Sequence, residues 1–108
     1  MELRFVYIVC ESAEQAQRIG KTLVDSRLAA CVNILDRMRS MYWWDGAVQS
    51  ADETVMIAKT RAALVPAVCA RVKELHSYEV PCVASLPLLE GNPDFFDWIV
   101  SETADPTV

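Results

Sequence analysis

Apolar residues fall into four blocks along the chain, at residues 5–10, 28–34, 54–58 and 82–86. The first block is a continuous apolar run with no alternation, which is typical of a strand buried on both faces. Between and after the blocks, apolar residues recur at every third or fourth position, as they do on one face of a helix. The pattern therefore predicts strands joined by amphipathic helices.

The longest extended stretch contains the strongest turn signal. Apolar, β-branched and aromatic residues lead from residue 28 to Asp45-Gly46, and a second extended stretch covers residues 47–59. Asp-Gly between two such runs predicts a tight hairpin, because glycine adopts positive φ without a steric penalty. Each arm would hold about 12–15 residues, whereas a typical strand has about 5–6. We expect this hairpin to reach beyond its own domain and to lie against another surface.

One helix is predicted before the hairpin and one after it. Ser12 is the expected N-cap of the first helix, and Gln15, three residues later, completes a capping box. The second helix is expected to start no earlier than Ala62, because Pro66 is tolerated only near the first turn. Thr60 is the candidate cap of that helix.

The last third of the chain adds a link, a strand and a helix. Residues 76–81 are predicted to be an irregular link, since the residue before Pro81 is disfavoured in the α region. A short fourth strand follows over residues 82–86. Asn92 is a good N-cap and Pro93 suits the first helical position, so a third helix is expected to start there.

The predicted order is β-α-β-β-α-β plus a C-terminal helix, within a single domain that spans residues 1–108. This is the split β-α-β arrangement of α+β, ferredoxin-like folds. Right-handed crossovers then give a four-stranded antiparallel sheet in the order 4-1-3-2, with both main helices on one face. Because the first strand is apolar on both sides and the hairpin is overlong, we expect an oligomer.

This topology is expected to gather the candidate chemistry at one rim of the sheet. We expect Cys10, Lys59 and residues 76–82 to meet there, with Asp45-Gly46 at the opposite rim. The rim would hold a thiol, the sole histidine and two polar link residues: Cys10, His76, Tyr78 and Glu79. Thiolate and imidazole are ligands for copper or zinc, and Glu79 could supply an oxygen ligand or orient the imidazole.

Each of these residues also has a purely structural interpretation, which stays open at this point. Cys10 could serve as a small core residue, and His76 as a hydrogen-bonded loop residue. Lys59 could form a salt bridge or contact an anion. The aromatic residues 42–44 suit an oligomer interface, with ligand stacking as the alternative.

Composition excludes several classes of partner and reaction. The chain is 53% hydrophobic with a net charge of −5, so it lacks the basic footprint of a nucleic-acid binder and is not expected at anionic membranes. Four cysteines without a CxxC pair, and an N-terminus without a signal-peptide layout, favour the reduced cytoplasm. One histidine and three scattered glycines offer no HExxH motif or phosphate loop, so no enzyme is expected. A thiol catalyst built from Cys10 and His76 is the alternative.

Five segments, in order along nearly the whole chain, resemble the CutA family of divalent-cation tolerance proteins. They are Leu28-Ala29-Ala30-Cys31-Val32-Asn33-Ile34, Tyr42-Trp43-Trp44-Asp45-Gly46, Lys59-Thr60, Leu75-His76-Ser77-Tyr78-Glu79-Val80-Pro81, and Gly91-Asn92 through Trp98.

The resemblance implies a ferredoxin-like protomer in a tight cytoplasmic homotrimer, associated with copper and other divalent metals. It also implies that the metal ligands are a cysteine at the end of strand one and histidines before strand four, which correspond here to Cys10 and His76. Leu75 stands where some members have a second histidine, so at most two soft ligands per subunit are expected, with weakly bound metal. The alternative function is a small-molecule-sensing trimer with inter-subunit clefts, like the PII signalling proteins.

Overall fold

A four-stranded antiparallel sheet forms the frame of the computed structural model, which describes residues 1–105. The elements in chain order are β1 (Leu3–Cys10), α1 (Ala13–Asp25), β2 (Cys31–Trp44), β3 (Ala47–Arg61), a 3₁₀ turn (Ala62–Leu64), α2 (Val65–Leu75), β4 (Val83–Pro87) and α3 (Pro93–Glu102). The strand order is β2-β3-β1-β4, which is the predicted order read from the other edge. The α+β, ferredoxin-like prediction is therefore confirmed.

The long hairpin forms as its sequence predicts. Its arms β2 and β3 contain 14 and 15 residues. Asp45 and Gly46 have φ angles of 52° and 75°, the positive values that a type I′ turn requires at both central positions. The register shifts between Leu35 and Met38, where Arg37 has a φ of 63°. This bulge bends the hairpin where it leaves the body of the sheet.

The placement of Lys59 and of the hairpin tip differs from the prediction. Cys10 pairs with Thr54, whereas Lys59 pairs with Phe5 at the opposite end of β1. Adjacent antiparallel strands bring the end of β1 to the beginning of β3, so Lys59 does not share a rim with Cys10. For the same reason, the hairpin projects from the Cys10 end of the sheet. The prediction that Asp45-Gly46 would lie at the other rim is wrong.

Local capping explains where the helices begin. The Ser12 hydroxyl accepts a hydrogen bond from the Gln15 amide at 3.1 Å, and Gln15 Oε1 accepts one from the Glu11 amide at 2.9 Å. Asn92 caps α3 through the amide of Asp94. Thr60, however, does not cap the second helix. It lies within β3 and donates its hydroxyl proton to the Leu28 carbonyl at 2.6 Å.

The core lies between one face of the sheet and helices α1 and α2. Its members include Val6, Ile8, Ile19, Leu23, Met56, Val68 and Val72. The other face of the sheet, here called the open face, carries Phe5 and Tyr7, which are half-buried. It also carries Leu35 and Leu86, which are 57% and 55% exposed. A single chain therefore leaves apolar surface uncovered on this face.

Gly20 gives a test of how closely α1 packs on the sheet. A Cβ at this position would lie 2.9 Å from Val32 Cγ2 and 3.0 Å from Met56 Sδ. Alanine raises intrinsic helix stability by roughly 0.5–1 kcal/mol over glycine, but overpacking a core costs about 1–3 kcal/mol. The cost of overpacking exceeds the helix gain, so we expect Gly20→Ala to lower the free energy of unfolding in urea by about 1 kcal/mol. The exposed-site control Gln17→Ala should stay close to the parent, and a gain in stability for Gly20→Ala would contradict the packing argument.

Candidate metal site at the end of strand β1

The end of β1 holds residues 76–82 against the sheet through the backbone of Val9. The Val9 amide donates to the Cys82 carbonyl at 3.1 Å, and the Val9 carbonyl accepts from His76 Nε2 at 2.7 Å. Gln15 Nε2 adds a bond to the Ser77 hydroxyl at 2.8 Å. The structure thus brings residues 76–82 to the same end of the sheet as Cys10, as the topology predicts.

Both ring nitrogens of His76 are engaged within the protein. Nδ1 accepts a hydrogen bond from the Tyr78 amide at 3.0 Å, so this nitrogen carries no proton. The proton is therefore assigned to Nε2, which donates to the Val9 carbonyl. The His76 side chain is buried, and its own amide donates to the Val72 carbonyl at the end of α2. A metal ion can bind this imidazole only by replacing one of the two ring bonds.

The thiol of Cys10 is enclosed in the core. The residue is fully buried among the apolar side chains that α1 and α2 pack against the sheet. Burial raises the pKa of Cys10 to about 11, with the nearby Arg18 opposing this effect and Glu11 and Glu53 adding to it. The group is therefore a neutral thiol near pH 7, whereas a metal ligand or a nucleophile must be a thiolate.

The third predicted ligand, Glu79, is exposed to solvent. Leu75, which stands where some family members have a histidine, is half-buried. Within residues 1–105, no group of three or more His, Cys, Asp or Glu side chains is arranged to hold a metal ion. As arranged in the folded chain, Cys10, His76 and Glu79 lie in one region but do not form a coordination shell.

A groove beside these residues was not predicted from the sequence. It has a volume of about 710 Å³ and runs between the hairpin, the end of β1 and residues 78–82. Glu53 lies in it, 7% exposed, and accepts a hydrogen bond from the Tyr78 hydroxyl at 2.7 Å. Burial and this bond to Glu53 raise the pKa of Tyr78. The alternation of β3 places Glu53 on the same face as Val55 and Ile57, which is the only signal in the sequence that could have indicated it.

Fold and site geometry together define a class of α+β proteins. They have a ferredoxin-like sheet, a long hairpin that extends beyond it, and a histidine-containing link bonded to the end of the first strand. The sequence model of the family described as CutA1 divalent ion tolerance protein matches residues 4–102. The chain belongs to this family.

Individual relatives agree with this assignment. The divalent-cation tolerance protein CutA of Archaeoglobus fulgidus is 44% identical over 95 residues, which cover 88% of this chain and 92% of the relative. The crystal structure of CutA1 from Oryza sativa has a TM-score of 0.95 at 36% identity and covers 97% of this chain and 96% of that one. The Thermus thermophilus protein has a TM-score of 0.92 at 41% identity, with 94% and 99% covered. The chain spans 56% of the length of the chloroplastic CutA 1 protein of Oryza sativa.

The raised pKa of Cys10 makes stability depend on pH in the alkaline range. The folded thiol keeps its proton up to about pH 11, while a thiol in the unfolded chain loses it near pH 8.5. The contribution of Cys10 is therefore fully present below pH 8.5 and is lost as the pH rises toward 11. We expect the free energy of unfolding to fall less steeply over this range in Cys10→Ala than in the parent. Cys69→Ala keeps Cys10 and should follow the parent; identical slopes in all three would contradict the assignment.

Proposed function

We propose that the chain forms a cytoplasmic, non-enzymatic homotrimer that binds divalent metal ions, copper in particular, weakly and exchangeably. The observation that carries this proposal is the bond from His76 to Val9, the residue before Cys10, in a member of the divalent ion tolerance family. Imidazole and thiol therefore belong to the same end of β1. Thiolate and imidazole suit copper and zinc, and the exposed Glu79 could add an oxygen ligand.

The present state of the two soft donors, a hydrogen-bonded imidazole and a protonated thiol, supports weak binding. A metal at this site must displace a ring hydrogen bond of His76 and remove the proton of Cys10. Both changes cost free energy, and this cost lowers the affinity of the site for the metal. The same burial supports a non-enzymatic role, because a neutral, enclosed thiol is a poor nucleophile.

Exposed apolar surface supports the trimer. Leu35 and Leu86 on the open face are more than half exposed, and so are Met41, Trp43 and Trp44 on the hairpin. Aromatic residues and methionine are enriched at protein interfaces. Four free cysteines support the cytoplasm, although one relative of known structure, from Archaeoglobus fulgidus, is described as periplasmic. Within residues 1–105, no helix is long and apolar enough to cross a membrane.

The assembly can be tested by light scattering. We expect a particle of three chains of 12.1 kDa each, and a particle of 12.1 kDa would contradict the proposal. Trp43→Ala should weaken association by at least about 2 kcal/mol if this residue anchors the interface, so that the variant dissociates on dilution. Gln49→Ala changes an exposed polar residue of the same hairpin and should associate like the parent.

The metal site can be tested by calorimetric titration with copper. We expect weak binding by the parent, and weaker binding by Cys10→Ser and by His76→Ala. Affinity should also fall as the pH is lowered, because protons compete with the metal for these ligands. Cys69→Ala is the matched control, since it removes a half-buried thiol elsewhere. Equal affinity in the parent and both site variants would mean that Cys10 and His76 are structural residues.

A second candidate function is a small-molecule-sensing trimer of the PII kind. The groove of about 710 Å³ favours it, because its volume is that of a typical small-molecule site. Tyr42 and Trp44 of the long hairpin form part of its wall, so the hairpin connects this groove with the proposed subunit contacts. Titration of the protein with nucleotides beside the copper titration separates the two candidates.

A further inference from the structure

Gln15 is a buried polar residue near the start of α1, and its side chain contacts two separate segments of the chain. The residue is 1% exposed. Its Oε1 accepts a hydrogen bond from the Glu11 amide at 2.9 Å, and its Nε2 donates to the Ser77 hydroxyl at 2.8 Å. Glu11 follows Cys10 in the sequence, and Ser77 follows His76. One buried amide therefore joins the residues that come directly after the two soft donors of the candidate site.

The orientation of this amide is determined by its partners. A backbone N–H only donates, so the oxygen of Gln15 is assigned to the Glu11 amide and the nitrogen to Ser77. The backbone of Gln15 is held as well, because its own amide donates to the N-cap hydroxyl of Ser12 at 3.1 Å. A buried side chain that is bonded at both ends has little freedom to move. Gln15 therefore holds residue 77 at a fixed position relative to the start of α1.

The segment that Gln15 holds also contains the ring bonds of His76. Nε2 donates to the Val9 carbonyl at 2.7 Å, and Nδ1 accepts from the Tyr78 amide at 3.0 Å. Ser77 and Tyr78 are consecutive, so a displacement of Ser77 also moves the amide that bonds to Nδ1. All of these bonds join residues of one chain and need no residue of a second subunit.

We infer that Gln15 is a positioning residue that keeps the ring bonds of His76 closed and thereby limits the release of the imidazole to a metal ion. Without the bond from Gln15 to Ser77, the link has more freedom, and the bond from the Tyr78 amide to Nδ1 opens more often. Nδ1 carries no proton in this tautomer, so once it is open it can bind a metal without losing a proton. This inference rests on the metal site proposed above and names what regulates it.

Hydrogen exchange of the Tyr78 amide, measured by NMR on untagged, metal-free protein, tests the positioning role. Ser77→Ala changes an exposed residue, removes the acceptor for Gln15 Nε2 and keeps the bond from Gln15 to Glu11. It should speed exchange of the Tyr78 amide by about tenfold or more and leave that of Ile19, in the middle of α1, unchanged. Ser77→Thr retains a hydroxyl and should behave like the parent.

The imidazole itself can be observed in the same samples, because His76 is the only histidine in the chain. The ring-nitrogen signals should show a single tautomer, protonated at Nε2, in the parent and in Ser77→Thr. In Ser77→Ala they should shift toward a mixture of the two tautomers. Gln15→Met removes the donor from the other end of the bond, and Ser77→Ala added to Gln15→Met should cause no further increase in exchange of the Tyr78 amide, because the two changes remove the same bond.

Calorimetric titration with copper then tests the regulatory role. Ser77→Ala should bind copper severalfold more tightly than the parent, because less free energy is spent on releasing the imidazole, and Ser77→Thr should bind like the parent. Unchanged exchange of the Tyr78 amide in Ser77→Ala would overturn the positioning role of Gln15. Faster exchange without tighter copper binding would overturn its control of the metal site. If neither the parent nor the variants bound copper, the proposed metal function would be overturned, and the exchange of Tyr78 would still decide whether Gln15 positions His76.

Discussion

Val9 holds the candidate site together, because both of its backbone groups bond to the segment between α2 and β4. Its amide reaches the Cys82 carbonyl and its carbonyl reaches His76 Nε2. These bonds fix where β4 begins, and they hold Tyr78 close enough to bond to Glu53. If the imidazole moved away, the Val9 carbonyl would lose this bond. An unpaired backbone group in a buried place costs about 1–3 kcal/mol, so the change would destabilise the end of β1 as well as the histidine. The proposed metal binding would therefore compete with the local fold for the same histidine.

The parts of the fold that were predicted correctly depend on interactions between residues that are close together in the sequence. Asp45-Gly46 specifies the hairpin because few other residues adopt two successive positive φ angles, and Ser12 specifies a helix start through a bond three residues away. Lys59 was misplaced for a topological reason: its position follows from which end of β1 meets β3, and not from the residues beside it. The length of β3 could be counted in the sequence, but its direction relative to β1 had to be followed through the crossover.

For the candidate site, the sequence predicted which residues come close together but not how their side chains are placed. Strand order indicates that Cys10 and His76 come close, yet it does not indicate that one side chain enters the core and the other bonds to a carbonyl. Those outcomes depend on rotamers and on long-range contacts such as the bond between Gln15 and Ser77. The pairing of Glu53 with Tyr78 is of the same kind, since it joins residues 25 positions apart. Polar contacts between distant segments leave no periodicity in a single sequence.

In the proposed trimer, the hairpin would link assembly and ligand binding in one element. Its aromatic residues lie beyond the bulge near Arg37, still paired with β3, and the same segment supplies Tyr42 and Trp44 to the groove. A ligand that orders these side chains must favour whichever hairpin position places them on it, and a neighbouring subunit that contacts the hairpin must do the same. If both select the same position, each strengthens the binding of the other by an equal factor. If they select different positions, ligand binding weakens assembly. In the proposed trimer, the long hairpin is therefore the element through which occupancy of the groove would affect the subunit interface.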